Sequence, residues 1–212
     1  MTQDALNQAC RAIYQETKAF YSEIASDCSN LGFKILYGPP LIKPPILFIG
    51  YQPGGAEEDC ARTVANGAHE GWPSKLEYTV NNGQLDRNMC AMFDTSRLVK
   101  CVGLNAIFIR SPNVQRYRKT VPRSTREKIE AFCLPRVRQI VAMIEPQCIV
   151  AIGLGTLDLF CTPTADLFNP KGRPLTRVGQ IEGHKAIAVL HLSGARISTV
   201  DRNRIRDRVL AN

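Results

Sequence analysis

Three short stretches of this chain carry groups suited to chemistry on a bound ligand. In Gly50-Tyr51-Gln52-Pro53-Gly54-Gly55 the glycines permit close backbone approach and Pro53 fixes the turn. Gln52, at its centre, offers an amide that can orient a water but cannot take up a proton, which excludes general-base catalysis by that residue. No Gly-Lys-Ser/Thr follows, so the loop is not a phosphate-cradling P-loop. Between Cys101 and Ile109, Asn105 interrupts eight otherwise nonpolar positions. A buried amide must be paired. It either ties down a neighbouring loop or reads the edge of a nucleobase, since it presents a donor and an acceptor side by side. In His191-Leu192-Ser193-Gly194-Ala195-Arg196 a histidine follows an apolar run and precedes a Ser/Gly turn. It is either a satisfied structural histidine or a catalytic one at the end of a strand.

For these residues to meet, the intervening elements must bring them to one side of a sheet. Leu6, Ala9, Ile13, Ala19, Phe20 and Ile24 have helical spacing, and the stretch 4–26 lacks Gly and Pro, which predicts an N-terminal helix. After Gly38-Pro39-Pro40 and Pro44-Pro45 comes a buried strand at 45–50. A short helix is expected over Glu57–Ala65, a long loop over 66–82, a helix over 83–93 and a second strand over 102–109. Ser124 with Glu127 forms a capping-box pattern for a helix to Ile144, which Pro146 stops. A third strand is read at 147–153, a short helix at 154–160, strands at 174–179 and 185–192, and a closing helix capped by Ser198 or Thr199. Buried strands alternating with helices predict an α/β fold, a three-layer α/β/α sandwich with a central, mainly parallel sheet. In such sheets ligands sit at the carboxyl ends of the strands, which is where all three stretches fall.

The 212 residues suit one domain, 1–212, whose first 43 residues form the N-terminal helix and a lead-in loop. No apolar run reaches the roughly 18 residues of a membrane span. The first twenty residues lack the basic start and apolar core of a secretory signal. A cytoplasmic protein without membrane contact is expected. The eight cysteines have no Cys-x-x-Cys spacing, so they read as thiols in a reducing compartment, and no metal is expected. The net charge is +8. Nine Lys or Arg against two Glu fall between residues 110 and 138, and five Arg lie between 196 and 208. Such clusters are either solvated helix faces or the walls of a phosphate-tracking groove.

Taken together, the motifs resemble the uracil-DNA glycosylase superfamily. Ile46 to Asp59 resembles its first motif, a Gly-x-x-Pro-Gly loop after the first strand. Gly103 to Arg110 is similar to its Asn-bearing strand, and Leu190 to Arg196 to its second motif. The resemblance spans about residues 44–200 and is nearest to bacterial members with a Pro-Gly first motif. It implies a monofunctional DNA glycosylase in base excision repair, one that flips a base, uracil foremost, out of DNA and hydrolyses its N-glycosidic bond. The implied partner is uracil-containing or otherwise modified DNA, and a monomer without cofactor is expected.

By the same resemblance, Asn105 pairs with the extruded base and His191 stabilises charge on the departing base. Gly50, Pro53, Gly54 and the backbone at Gln52 line base and sugar, and Tyr51 or Trp72 stacks on the base. Ser193 and Gly194 hold a phosphate, Arg196 wedges into the duplex, and Arg110, Arg116 and Arg118 contact DNA. Departures matter. Gln52 stands where relatives carry Asp or Asn, leaving two alternatives: a glycosylase for another base, such as a deaminated purine or modified cytosine, or an inactive DNA-binding member. Glu57, Glu58 and Asp59 could substitute as base, although the positive end of a helix accounts for them equally. The basic loop 111–124 lacks the His of the covalently trapped branch, and only Cys133 matches a cysteine of the iron–sulfur members.

Overall fold

The computed structural model describes residues 1–65, 72–81, 83–193 and 197–211. Its helices are α1 (Gln3–Ile24), α2 (Glu57–Ala65), α3 (Gln84–Phe93), α4 (Thr95–Leu98), α5 (Val114–Thr120), α6 (Arg123–Ile144) and α7 (Thr199–Leu210). Its strands are β1 (Leu47–Gly50), β2 (Val102–Asn105), β3 (Ile149–Ile152), β4 (Thr164–Phe168), β5 (Pro174–Ile181) and β6 (His184–Val189). The six strands form one sheet in the order β2-β1-β3-β6-β5-β4. The first four of that order run parallel, and β5 and β4 add an antiparallel edge. Alternate side chains divide between two cores. Leu47, Ile49, Leu104, Ile149 and Ala188 pack with α1 and α6, whereas Phe48, Val150, Ile187 and Val189 pack with α3 and α7. The chain is thus an α/β protein with helices on both faces of a mostly parallel sheet.

Local chemistry explains the flanking layers. Thr2 caps α1 by accepting from the Ala5 amide at 3.2 Å. The helix then buries Leu6, Cys10, Ile13, Tyr14, Thr17, Tyr21 and Ile24, the stripe of an amphipathic helix. Phe20 stacks on Phe132 of α6 with ring centroids 4.0 Å apart, and Arg136 of α6 reaches Glu16 at 2.7 Å. The tyrosine hydroxyls of α1 hold the next segment in place: Tyr21 accepts from Gly32 N–H at 2.8 Å and Tyr14 from Leu36 N–H at 3.2 Å.

That segment, read from sequence as a lead-in loop, lies antiparallel along the outer edge of β2. Four backbone hydrogen bonds fasten it: Lys34 N to Phe108 O, Tyr37 N to Gly103 O, Asn105 N to Ile35 O and Arg110 N to Gly32 O, at 2.8 to 3.0 Å. Gly103 permits the approach, since a Cβ there would lie 2.9 Å from that of Tyr37. The expected strand 102–109 therefore ends as β2 at Asn105, where residues 106–109 turn under the loop after β1. Ala106 and Ile107 donate to Gly50 O and Tyr51 O, each at 2.8 Å.

Other expectations also need correcting. Residues 114–120 of the basic loop form α5, because Asn113 caps it by accepting from Arg116 N at 2.8 Å. The capping box at Ser124 does not form. Helix α6 begins one residue earlier, and Glu127 instead pairs with Arg123 at 2.8 Å. Strand β4 was not foreseen, because Thr164–Phe168 is mostly exposed and lacks a buried apolar run. The turn Glu182-Gly183 joins β5 to β6 with both residues at positive φ, 50° and 77°, as a two-residue hairpin requires. Among the described residues no helix is long and apolar enough to cross a membrane.

Candidate active site

A cavity of about 1080 Å³ opens at the carboxyl ends of the parallel strands. Gly50 ends β1, Asn105 ends β2 and Ile152 ends β3, and the register aligns all three; His191 lies two residues past β6. The chain leaves β1 toward β2 on one side and β3 lies on the other, the kind of switch point at which an open sheet forms a crevice. Gly50, Tyr51, Gln52, Gly54, Asn105, Arg110, Arg118, His191 and Ser193 all line this cavity. The three stretches singled out in the sequence therefore meet in one place.

Asn105 is fully buried. Its Nδ2 donates to Lys34 O at 3.1 Å, while its Oδ1 has no hydrogen-bond partner among the described residues. Leaving a buried acceptor unsatisfied costs about 1–3 kcal/mol, so the fold alone does not account for this oxygen. A Cβ at Gly50 would lie 3.1 Å from Oδ1, and glycine leaves that space open. Nδ2 thus ties down a neighbouring segment, while Oδ1 is left without a partner in a residue that lines the cavity.

Gln52 is similar. Its Nε2 donates to Ser111 O at 3.2 Å, and its Oε1 is buried without a partner among the described residues. The loop carrying it is pinned from beneath, with Ser111 N donating to Pro53 O at 3.2 Å. Pro53 is buried and shapes the loop without lining the cavity. Gly55 adopts φ of +140°, and a Cβ there would meet Cys60 Sγ of α2 at 3.1 Å.

His191 opens onto the cavity, yet protein surrounds the ring closely enough that burial lowers its pKa below the ordinary 6.5. The Ser193 amide donates to Nδ1 at 3.4 Å, and Ser193 Oγ lies 2.9 Å from the same nitrogen. A backbone N–H can only donate, which favours the tautomer with Nδ1 as acceptor and the proton of the neutral ring on Nε2, while the Oγ contact fits either tautomer. The site thus presents a neutral imidazole N–H donor. Asn88 of α3 donates to Leu192 O and fixes this turn from behind. Gly194 and Arg196 lie outside the described residues.

The sequence did not single out the wall formed by Lys34, Tyr37, Glu77 and Tyr78. Lys34 Nζ pairs with the Glu77 carboxylate and lies 5.2 Å from the Tyr37 ring centroid. Burial lowers the Lys34 pKa, and Glu77 opposes that shift. The Tyr37 and Tyr78 rings are 5.1 Å apart. Burial pushes the Tyr37 hydroxyl up to about 12, with the Asn105 amide acting in the opposite direction. The β-forming run Phe33-Lys34-Ile35-Leu36-Tyr37 was the available signal for half of this wall. Glu77 and Tyr78 lie in the long loop, where no pattern marked them.

Trp72 does not line the cavity. It packs on Tyr14 of α1 with centroids 5.4 Å apart, beneath Arg11 at 4.4 Å, because the apolar stripe of α1 offers it a larger apolar surface. Tyr51 does line it, with the Arg118 guanidinium 5.9 Å from its ring centroid. Arg116 points away to Glu57 at 3.2 Å.

Seven of the fourteen cluster residues, Arg116 included, are engaged in ion pairs. Arg123, Arg136 and Arg138 engage Glu127, Glu16 and Glu182, and Arg204, Arg206 and Arg208 engage Asp201, Asp207 and Asp166. Among the described residues, Arg110 and Arg118 are the cluster members at the cavity. Arg110 donates to Gly54 O at 3.3 Å, and its Nε is buried without a partner among the described residues. The acids at the cavity are engaged as well. Asp59 pairs with Arg62, Glu77 with Lys34, and Asp86 accepts from Gly83 N at 2.9 Å. Cys133 is packed inside, where Phe108 N–H donates to its Sγ at 3.4 Å and burial pushes the thiol up to about 12.

No family model matches this chain, and no curated protein matches it. The functional reading therefore rests on the cavity. It combines buried unsatisfied acceptors on Asn105 and Gln52, a neutral donor on His191, an aromatic wall and two arginines. Such an arrangement suits a planar, polar, partly apolar group entering on an anionic carrier.

Proposed function

We propose that this protein is a DNA glycosylase of the uracil-DNA glycosylase superfamily, which hydrolyses the bond between an extruded base and its deoxyribose. The observation that carries the reading is the buried, unpaired Oδ1 of Asn105 in the same cavity as the His191 Nε2–H. An imide or lactam N–H of a flipped base satisfies that oxygen, and the remaining Nδ2–H meets the adjacent carbonyl. As the C1′–N bond breaks, its electron pair passes to the base, and His191 donates to the base oxygen on which negative charge grows. A preorganised neutral donor lowers the barrier without a proton transfer. The base departs with the electron pair and leaves the sugar as an oxocarbenium-like species; water adds to C1′, and the proton it loses passes to the departed anionic base. Gln52, which lines the cavity, orients that water by hydrogen bonding and takes no proton from it. Arg110 and Arg118 meet the phosphates, and Tyr51 or the Tyr37–Tyr78 pair stacks on the base.

The test uses duplex oligonucleotides carrying uracil, hypoxanthine, xanthine or a modified cytosine, treated with alkali after incubation to cleave abasic sites. Base-dependent strand breaks are expected, and His191→Ala lowers turnover by about 10²-fold or more. Binding of every substrate without breaks overturns the enzyme reading and leaves a DNA-binding protein, the outcome that Gln52 and the engaged state of the lining acids would then explain.

A further inference from the structure

The hairpin between β4 and β5 takes no part in the site described above. Strand β5 runs antiparallel to β6 and sets Thr176 opposite Val189, the last residue of β6, while Phe168 of β4 stands opposite Pro174. The turn 169–173 therefore projects past the carboxyl ends of the parallel strands, the end at which the cavity opens. At about 3.3 Å per residue, Pro174 already stands about 7 Å beyond Val189.

The local sequence holds this tip in one shape. Asn169-Pro170-Lys171-Gly172 has the residue preferences of a type I turn, and Gly172 N donates to Asn169 O at 3.0 Å. Gly172 has φ of +72°, the left-handed residue that completes a hairpin of this kind. Asn169 Oδ1 accepts from Lys171 N at 3.0 Å and from Arg173 N at 2.9 Å, and Asn169 N donates to Arg173 O at 2.9 Å. Lower down, Asp166 of β4 accepts from Arg208 of α7 at 2.7 Å. What the tip displays is not explained by packing. Lys171 and Arg173 are exposed, belong to neither basic cluster and form no ion pair among the described residues. Phe168 is 45% exposed and leaves an apolar surface close to them in the chain. Groups held on a preorganised turn lose little further freedom on meeting a ligand.

Strands β5 and β4 stand three and four places from β1 in the sheet. At about 4.8 Å per strand, this sets the hairpin about 14–19 Å from Gly50. A strand of DNA advances about 3.4 Å per nucleotide, so the same reach covers about four to six nucleotides. Resting on the glycosylase reading above, we infer that the β4–β5 hairpin is a second DNA contact, whose Lys171 and Arg173 bind the phosphate backbone of the same duplex about four to six nucleotides from the extruded base. The contact fixes the register of the duplex over the cavity and reads no base.

Equilibrium binding of uracil-containing duplexes at several salt concentrations tests this, alongside steady-state base release. The proteins are the full chain, Lys171→Ala with Arg173→Ala, the charge-keeping swap Lys171→Arg with Arg173→Lys, and Lys100→Ala, which removes a cation before β2 at the opposite end of the sheet. On duplexes with about ten base pairs on each side of the uracil, loss of both tip cations is expected to lower the slope of log affinity against log salt by about two units. The accompanying fall in kcat/KM is carried by KM. The swap and Lys100→Ala are expected to keep the slope within about half a unit of the unmodified value. Cutting the duplex to about three base pairs on one side or the other should, for at least one of the two truncations, abolish the difference between the double variant and the unmodified protein. An unchanged slope in the double variant, or a difference that survives both truncations, overturns this inference and leaves the glycosylase reading standing. The expected binding changes without release of any base overturn the hydrolytic reading and leave the hairpin contact, and absence of DNA binding by the unmodified protein overturns both.

Discussion

Replacing Asn105 by Leu separates a residue kept for the fold from one kept for a ligand. Leucine has nearly the branched outline of asparagine, and Gly50 leaves its side open, with a Cβ position 3.1 Å from Oδ1. The substitution relieves one buried unsatisfied acceptor, Oδ1, and creates another, because Lys34 O loses its Nδ2 donor. Each is worth about 1–3 kcal/mol and the two have opposite signs, so the net change stays within about 2 kcal/mol of zero. For a chain of this size that is a midpoint shift of no more than about 8 °C in either direction, at about 2–4 °C per kcal/mol. Turnover behaves differently. Loss of the base-reading amide removes about 1–3 kcal/mol of recognition, a fall of about tenfold to a hundredfold. Urea unfolding and single-turnover release on the same preparations measure both quantities. Destabilisation well beyond 3 kcal/mol, together with undiminished base release by the folded fraction, would show that Asn105 serves the fold alone and refute the reasoning.

Three further outcomes are expected. Arg118→Ala should weaken DNA binding and lower the slope of log affinity against log salt by about one unit, as one lost phosphate contact requires, whereas Arg116→Ala, whose charge is engaged by Glu57, should leave the slope nearly unchanged. Trp72→Ala should lower stability by about 3 kcal/mol or less, given its half-buried packing, and leave turnover of the folded protein within about twofold; a selective loss of turnover would return Trp72 to the base site. The third concerns pH. Burial lowers the His191 pKa, so between that value and the ordinary 6.5 the unfolded chain binds more protons than the folded one. Stability should therefore decline as pH falls below about 6.5 and be indifferent to this residue above it, and His191→Ala should reduce the slope; an unchanged slope in that variant would show that the ring is not desolvated.

Asn105 and His191 were legible because each polar group stands at the end of an apolar strand, where burial makes a polar side chain conspicuous. The parallel sheet followed for the same reason: β1, β2 and β3 are short runs buried on both faces. The Lys34–Glu77 wall was not legible, since it forms from a segment before β1 and a single helical turn in a long loop, 43 residues apart. Only tertiary packing brings them together. Trp72 misled because an aromatic near a pocket motif in sequence has no obligation to face the pocket, and the α1 stripe offered it more apolar surface. The basic clusters misled in degree, because charge counts do not reveal which arginines already have carboxylate neighbours.

The segment along β2 has one more consequence. With Gly32–Tyr37 in place, the outer edge of β2 is covered: two of the four hydrogen bonds engage Gly103 and Asn105 of the strand, and two hold the segment to Phe108 and Arg110 beyond it. A shortened chain beginning at Pro44 would keep every strand of the sheet and each of the residues first singled out, yet it would expose the outer edge of β2, with Val102 and Leu104. Bare edges of this kind template pairing between molecules. Such a fragment would be expected to self-associate and precipitate, so the first 43 residues act as the protein's own guard against aggregation as well as one wall of its pocket.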